Sequence, residues 1–143
     1  MDMLIEPVRV ETGMIVTDYD YEPHQRSPFD LGLDRMVKPG NGCMGDAALK
    51  EAAAEHPNRF VTIRLASTPL PEYGSRVTRD GEEVGVLTSP AESPLYGPIG
   101  LAILAAGAAE PGMTVHVDGP EGPIEGTVDV LAIHDPKKER PRA

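Results

Sequence analysis

The chain has one cysteine, no tryptophan, two phenylalanines and four tyrosines among its 143 residues, and only 13 Lys+Arg stand against 23 Asp+Glu. Each shortage excludes something. A lone cysteine forms no internal disulfide, so a reducing cytoplasm is the expected compartment. A formal net charge of −10 repels a polyphosphate backbone and an anionic bilayer alike, so neither nucleic acid nor a membrane is an expected partner. No run approaches the ~20 apolar residues of a membrane-spanning helix, and the first residues lack the basic-then-apolar pattern of a signal peptide. His24, His56, His116 and His134 stand far apart without metal-ligand spacing, so no metal is expected.

Glycine and proline, by contrast, are plentiful at 15 each, and both are poor in helix interiors. They cut the chain into short elements and favour a mainly β fold with short helices, of α+β class. Phe60-Val61-Thr62-Ile63-Arg64-Leu65, Thr114 to Val117 and Gly126 to Val130 alternate apolar and polar residues as strands do. Ser75 to Thr78 and Glu83 to Leu87 flank Asp80-Gly81, a pair suited to the positive φ of a tight hairpin; Asp118-Gly119 through Gly122 predicts a looser turn. Ile99 to Ala109 suits either helix or a buried strand ending at Leu104. Asp46 to Glu55 predicts a helix capped by Asp46, stopped by Pro57 and lying across the sheet, and Pro28 to Arg35 a second one capped by Ser27.

Chemistry-bearing residues are sparse. Arg9 and Glu11 lie two apart and alternate with Val8 and Val10, which predicts a strand projecting both charges from one face. Such a pair either meets a ligand or forms a solvated surface ion pair. Thr17-Asp18-Tyr19-Asp20-Tyr21-Glu22 gathers carboxylates and phenols that suit a pterin ring or a small cationic methylamine, or equally an acidic solvated loop. Cys43 has no base in a recognisable relation to it and is assigned to packing. Thr88-Ser89 lacks the surroundings of a nucleophile elbow.

The order of several segments resembles the C-terminal half of the glycine cleavage T protein (aminomethyltransferase) family. Val8-Arg9-Val10-Glu11-Thr12-Gly13 corresponds to that family's LRLEAG, Ser27 to Leu33 to TPxExGL, and Cys43-Met44-Gly45 leading to Leu49 to FxG-x-x-x-L. Gly85-Val86-Leu87-Thr88-Ser89 through Ser93-Pro94 corresponds to VGxxTSG-x-x-SP, and Ile133-His134-Asp135-Pro136 with Arg140 to the ending of several relatives. The resemblance places a strand at Ile99 to Leu104 and implies an antiparallel β-barrel over residues 59–136. Before it, a strand and helical segment over residues 1–58 completes a folate-domain layer and meets a partner; residues 137–143 form a solvated tail. It further implies a small subunit, inactive alone, of a split tetrahydrofolate-dependent enzyme passing a methyl or aminomethyl carbon from a small methylated substrate to tetrahydrofolate. A larger subunit would carry the missing folate-binding half and hold most of the cofactor. Arg9 is then the candidate catalytic residue, and Arg9, Glu11, Tyr19 and Arg140 the candidate folate contacts. The other reading is a non-catalytic barrel that stabilises or regulates a larger enzyme, and for Arg140 a frayed basic tail.

Overall fold

The computed structural model describes residues 2–140, so Met1 and residues 141–143 of the expected tail lie outside the described residues. Strands β1 (Asn58–Leu65), β2 (Arg76–Arg79), β3 (Glu82–Ser93), β4 (Gly97–Ala105), β5 (Thr114–Gly119) and β6 (Gly122–Asp129) close into an antiparallel barrel in the order β1-β4-β3-β2-β5-β6. Both expected turns join neighbours in it. Arg79 pairs with Glu82, leaving Asp80-Gly81 as a two-residue loop with φ of 53° and 85°, the geometry that matches the twist of its strands. Gly119 pairs with Gly122 around Pro120-Glu121. The ambiguous Ile99 to Ala109 stretch is a strand as far as Ala105.

The alternation in β1 feeds two apolar layers. Val61, Ile63 and Leu65 point into the barrel with Leu87, Leu104 and Val117, whereas Phe60 points outward. On that outer face Phe60 meets Ile99, Leu101 and Ile103 of β4, and residues from both ends of the chain, Val10, Leu31 and Ile133, cover them. Each such aliphatic side chain, fully buried, contributes roughly 1.5–3 kcal/mol of transfer free energy. The segments around Val10 and Leu31 and the C-terminal return at Ile133 therefore form a coat on one flank of the barrel.

Several local expectations are corrected. The segment around Val8 is a helix, α1 (Asp2–Thr12), rather than a strand, although Pro7 lies inside it. The helix closes at Gly13 (φ 66°), whose N–H bonds the carbonyl of Val10 while that of Met14 bonds Arg9, satisfying the last carbonyls of the helix. Packing of α1 on β3 and β4 overrides the Val8/Val10 alternation and the proline. Arg9 and Glu11, two residues apart at about 100° each, consequently leave the helix on opposite sides. A Cβ on Gly13 would stand 2.8 Å from the backbone nitrogen of Ala132, besides the left-handed φ. Gly13→Ala is expected to cost about 2 kcal/mol or more, readable in urea unfolding.

The helix expected over Pro28 to Arg35 is a chain of turns. Ser27 does begin it, since its Oγ accepts from the Asp30 N–H at 3.2 Å and Asp30 Oδ2 accepts back from Ser27. Asp30 then leaves for the barrel: its Oδ1 accepts from the Asn58 N–H and its carbonyl from that of Phe60, and Gly32 at φ 71° redirects the chain. The helix expected from Asp46 forms as α2 (Asp46–Ala54), but it buries no residue and so does not pack across the sheet. Gly45 is its N-cap, and Asp46 instead pairs with Lys50 at 2.8 Å and accepts from the Gly40 N–H. Those bonds, Lys50 first, hold the Asp46 carboxyl below the usual carboxylate range. Cys43, assigned to packing, is exposed.

Candidate functional site

A buried polar knot fastens the coat to the barrel. Asp20, 2% exposed, follows α1 in a tight loop, where its own N–H bonds the carbonyl of Val16 and its Oδ2 accepts from the Val16 N–H at 2.9 Å. The same Oδ2 takes Arg9 Nη1 at 2.8 Å, while Oδ1 accepts from Thr88 Oγ1 and Ser89 Oγ at 2.6 Å each. Adjacent residues of a regular strand point to opposite faces, so Thr88 and Ser89 reach one oxygen only through an irregularity. Between Leu87 and Ser89 the β3–β4 register shifts by one, and the bulge turns both hydroxyls toward the coat.

Arg9 completes the knot. Its Nε and Nη2 donate to Glu6, Nη1 also donates to the carbonyl of Met14 at 3.0 Å, and Nη2 donates to Ser89 Oγ at 2.7 Å. All five guanidinium N–H groups are thereby engaged within the chain. Burial disfavours the charged form, but the carboxylates of Glu6 and Asp20 outweigh it and raise the pKa above that of an ordinary arginine. Arg9 is a permanent cation with a neutralised field.

The other expected residues lie around this knot in different settings. Glu11 is buried and accepts from Ser93 Oγ, whose oxygen also accepts the N–H groups of Leu95 and Tyr96 at the β3–β4 turn. It pins α1 to the barrel. Tyr19 is 61% exposed and stands edge-on to Tyr73, with ring centroids 6.2 Å apart. Arg140 is exposed, with Nη1 3.3 Å from His134 Nε2, and His134 Nδ1 lies 3.2 Å from the Tyr96 hydroxyl.

Arg9 and Tyr19 share a wall. With Ile5, Glu6 and Val16 they line a concavity of about 590 Å³ that Glu11 and Arg140 do not reach. Beside it, Ile5 and Val8 of α1 and Met14 just after it, each more than half exposed, form an uncovered apolar rim. Sequence reasoning missed Asp20 as the centre and set Thr88-Ser89 aside. The only available signal was the co-occurrence of an acidic loop with a Thr-Ser pair in the resemblance, because nothing in spacing joins residues separated by 69 positions.

Residues 58–133 match the family model described as the glycine cleavage T-protein C-terminal barrel domain. The chain belongs to this family. A probable aminomethyltransferase of Halobacterium salinarum is 34% identical over 116 residues, covering 78% of this chain and 32% of the relative. An aminomethyltransferase of Saccharopolyspora erythraea is 37% identical over 138 residues, covering 90% and 35% respectively. The crystal structure of glycine cleavage system aminomethyltransferase T from Bartonella henselae shares the fold, with a TM-score of 0.80 over 90% of this chain and 37% of that one at 20% identity. The chain spans about a third of the length of these family members. Its coat is part of the similarity, since each of the three alignments covers more of the chain than the 76-residue barrel match would. No helix among the described residues is long and apolar enough to cross a membrane.

Proposed function

We propose that this chain is the small subunit of a split, tetrahydrofolate-dependent one-carbon transferase, and that a larger subunit carries the folate-binding half. The observation that carries this reading is the 590 Å³ concavity between Arg9 and Tyr19, opening beside an uncovered apolar helix face in a chain one-third the length of its aminomethyltransferase relatives. Residues 1–58 serve as the interface layer and 59–136 as the barrel that supports it. The concavity's chemistry fits a folate: Tyr19 offers a ring face for stacking, Glu6 a half-exposed carboxylate for ring N–H groups, and Ile5 and Val16 apolar contact. When bound, tetrahydrofolate supplies the amine that accepts a methyl or aminomethyl carbon from a small N- or O-methyl substrate.

This chain's residues act by placement. Arg9 holds Glu6, Asp20 and thus the Tyr19 loop in one geometry, and Glu11 fixes α1 through Ser93. Arg140, anchored on His134, would meet folate only from outside this concavity, after assembly.

Folate binding tests the reading. The isolated chain, holding one wall, is expected to bind tetrahydrofolate weakly or not at all in calorimetry, and the complex recovered with it from its native source to bind well; affinity falls about tenfold for each 1.4 kcal/mol of missing contacts. Tight stoichiometric binding by the chain alone would overturn the split site. The complete internal use of Arg9's donors favours a second reading, a barrel that supports a larger enzyme without touching its reactants.

A further inference from the structure

Asp20 and Thr88 of the knot also form part of the wall of a smaller cavity of about 130 Å³, which they share with Tyr19, Glu22, Arg26, Tyr73 and Gly74. Arg26 is half-buried there, and none of the ion pairs or hydrogen bonds among the described residues holds its guanidinium. A shortage of carboxylates is not the reason, because acids exceed bases by ten in this chain and Arg9, Arg64, Arg76 and Arg79 each have one within ion-pair distance. The two carboxylates in the same cavity are engaged elsewhere: Glu22 accepts from Gln25 through Oε2, and both oxygens of Asp20 accept bonds within the knot.

A guanidinium drawn partly out of water with no carboxylate in ion-pair contact, beside two aromatic rings, has the chemistry of a carboxylate receptor: N–H donors for the oxygens and ring faces for the body of the ligand. The cavity admits only a few heavy atoms. We infer that it binds the carboxylate of a small free organic acid of amino-acid size at Arg26. This inference goes beyond the proposed transferase role and requires neither folate nor a partner subunit. A carboxylate can come from a simple acid or from an amino acid, and the spare oxygen of Glu22 gives an ammonium a place beside it.

The test is a titration of the isotope-labelled chain alone, followed by amide NMR, with glycine, acetate and methylammonium at constant ionic strength. The expected result is saturable shifts at Tyr19, Arg26, Tyr73 and Gly74 with both carboxylates, at a Kd on the order of millimolar, and none with methylammonium. Tighter binding of glycine than acetate would identify the amino acid as the better ligand. Arg26→Gln should weaken binding at least tenfold, Arg26→Lys should restore part of it, and Arg35→Gln, at an exposed arginine outside the cavity, should leave it unchanged. An unaltered spectrum elsewhere in the chain confirms that Arg26→Gln still folds. Absence of saturable shifts, equal shifts with methylammonium, or equal binding by Arg26→Gln would overturn the inference.

Discussion

Asp20→Ala is expected to remove about 3–5 kcal/mol of unfolding free energy, the cost of leaving a buried charge without its partner. The Arg9 cation loses its least exposed anion, and Thr88 and Ser89 lose the acceptor that organises them. Asp20→Asn, which keeps the shape but turns an acceptor into a donor facing Arg9 or a hydroxyl, should cost less but more than a surface substitution. The double variant Arg9→Met with Asp20→Ala should be more stable than the sum of the single losses implies, because it strands neither charge. Urea denaturation of the four proteins measures this cycle, and a loss below 1 kcal/mol for Asp20→Ala would show that the knot does not fasten the coat.

Arg9→Ala in the proposed assembled enzyme is expected to lower kcat on the order of 10²-fold, the loss that follows when groups positioned for reaction are displaced by about 1 Å. Arg9→Lys should restore only part of it, since an ammonium cannot bridge Glu6, Asp20 and Ser89 as the planar guanidinium does. Arg9 acts through the groups it holds, so the change should fall on kcat rather than on retention of the complex. Ser93→Ala, which cuts the Glu11 anchor at the other side of α1, serves as the comparison for loosening of the coat alone. Near-normal kcat in Arg9→Ala would leave the chain as a supporting barrel.

The barrel was readable because its signals are local. Alternation in β1 and the Asp80-Gly81 pair each act over a handful of residues, and the structure keeps both. What was not readable depends on partners distant in sequence. Val8 and Val10 look like a strand until β3 and β4 supply a surface that takes Val10 and leaves Val8 outside. Ser27 and Asp30 form the start of a helix, yet Asp30 is claimed by Asn58 and Phe60 after a single turn. The site divides in the same way. Arg9 was reached through the resemblance and Tyr19 through the composition of its loop, but Asp20 as their link depends on a bulge that no periodicity announces.

The pairing of β1 with β6 that closes the sheet also limits how the protein can be recognised. Each of the six strands has a neighbour on both sides, so none is an edge strand along its whole length, and a partner or a second copy finds no full strand edge to extend. Recognition then falls chiefly on side chains. On α1 and the turn that follows it those are Ile5, Val8 and Met14, which makes this helix end, rather than the barrel, the part on which specificity of association can act.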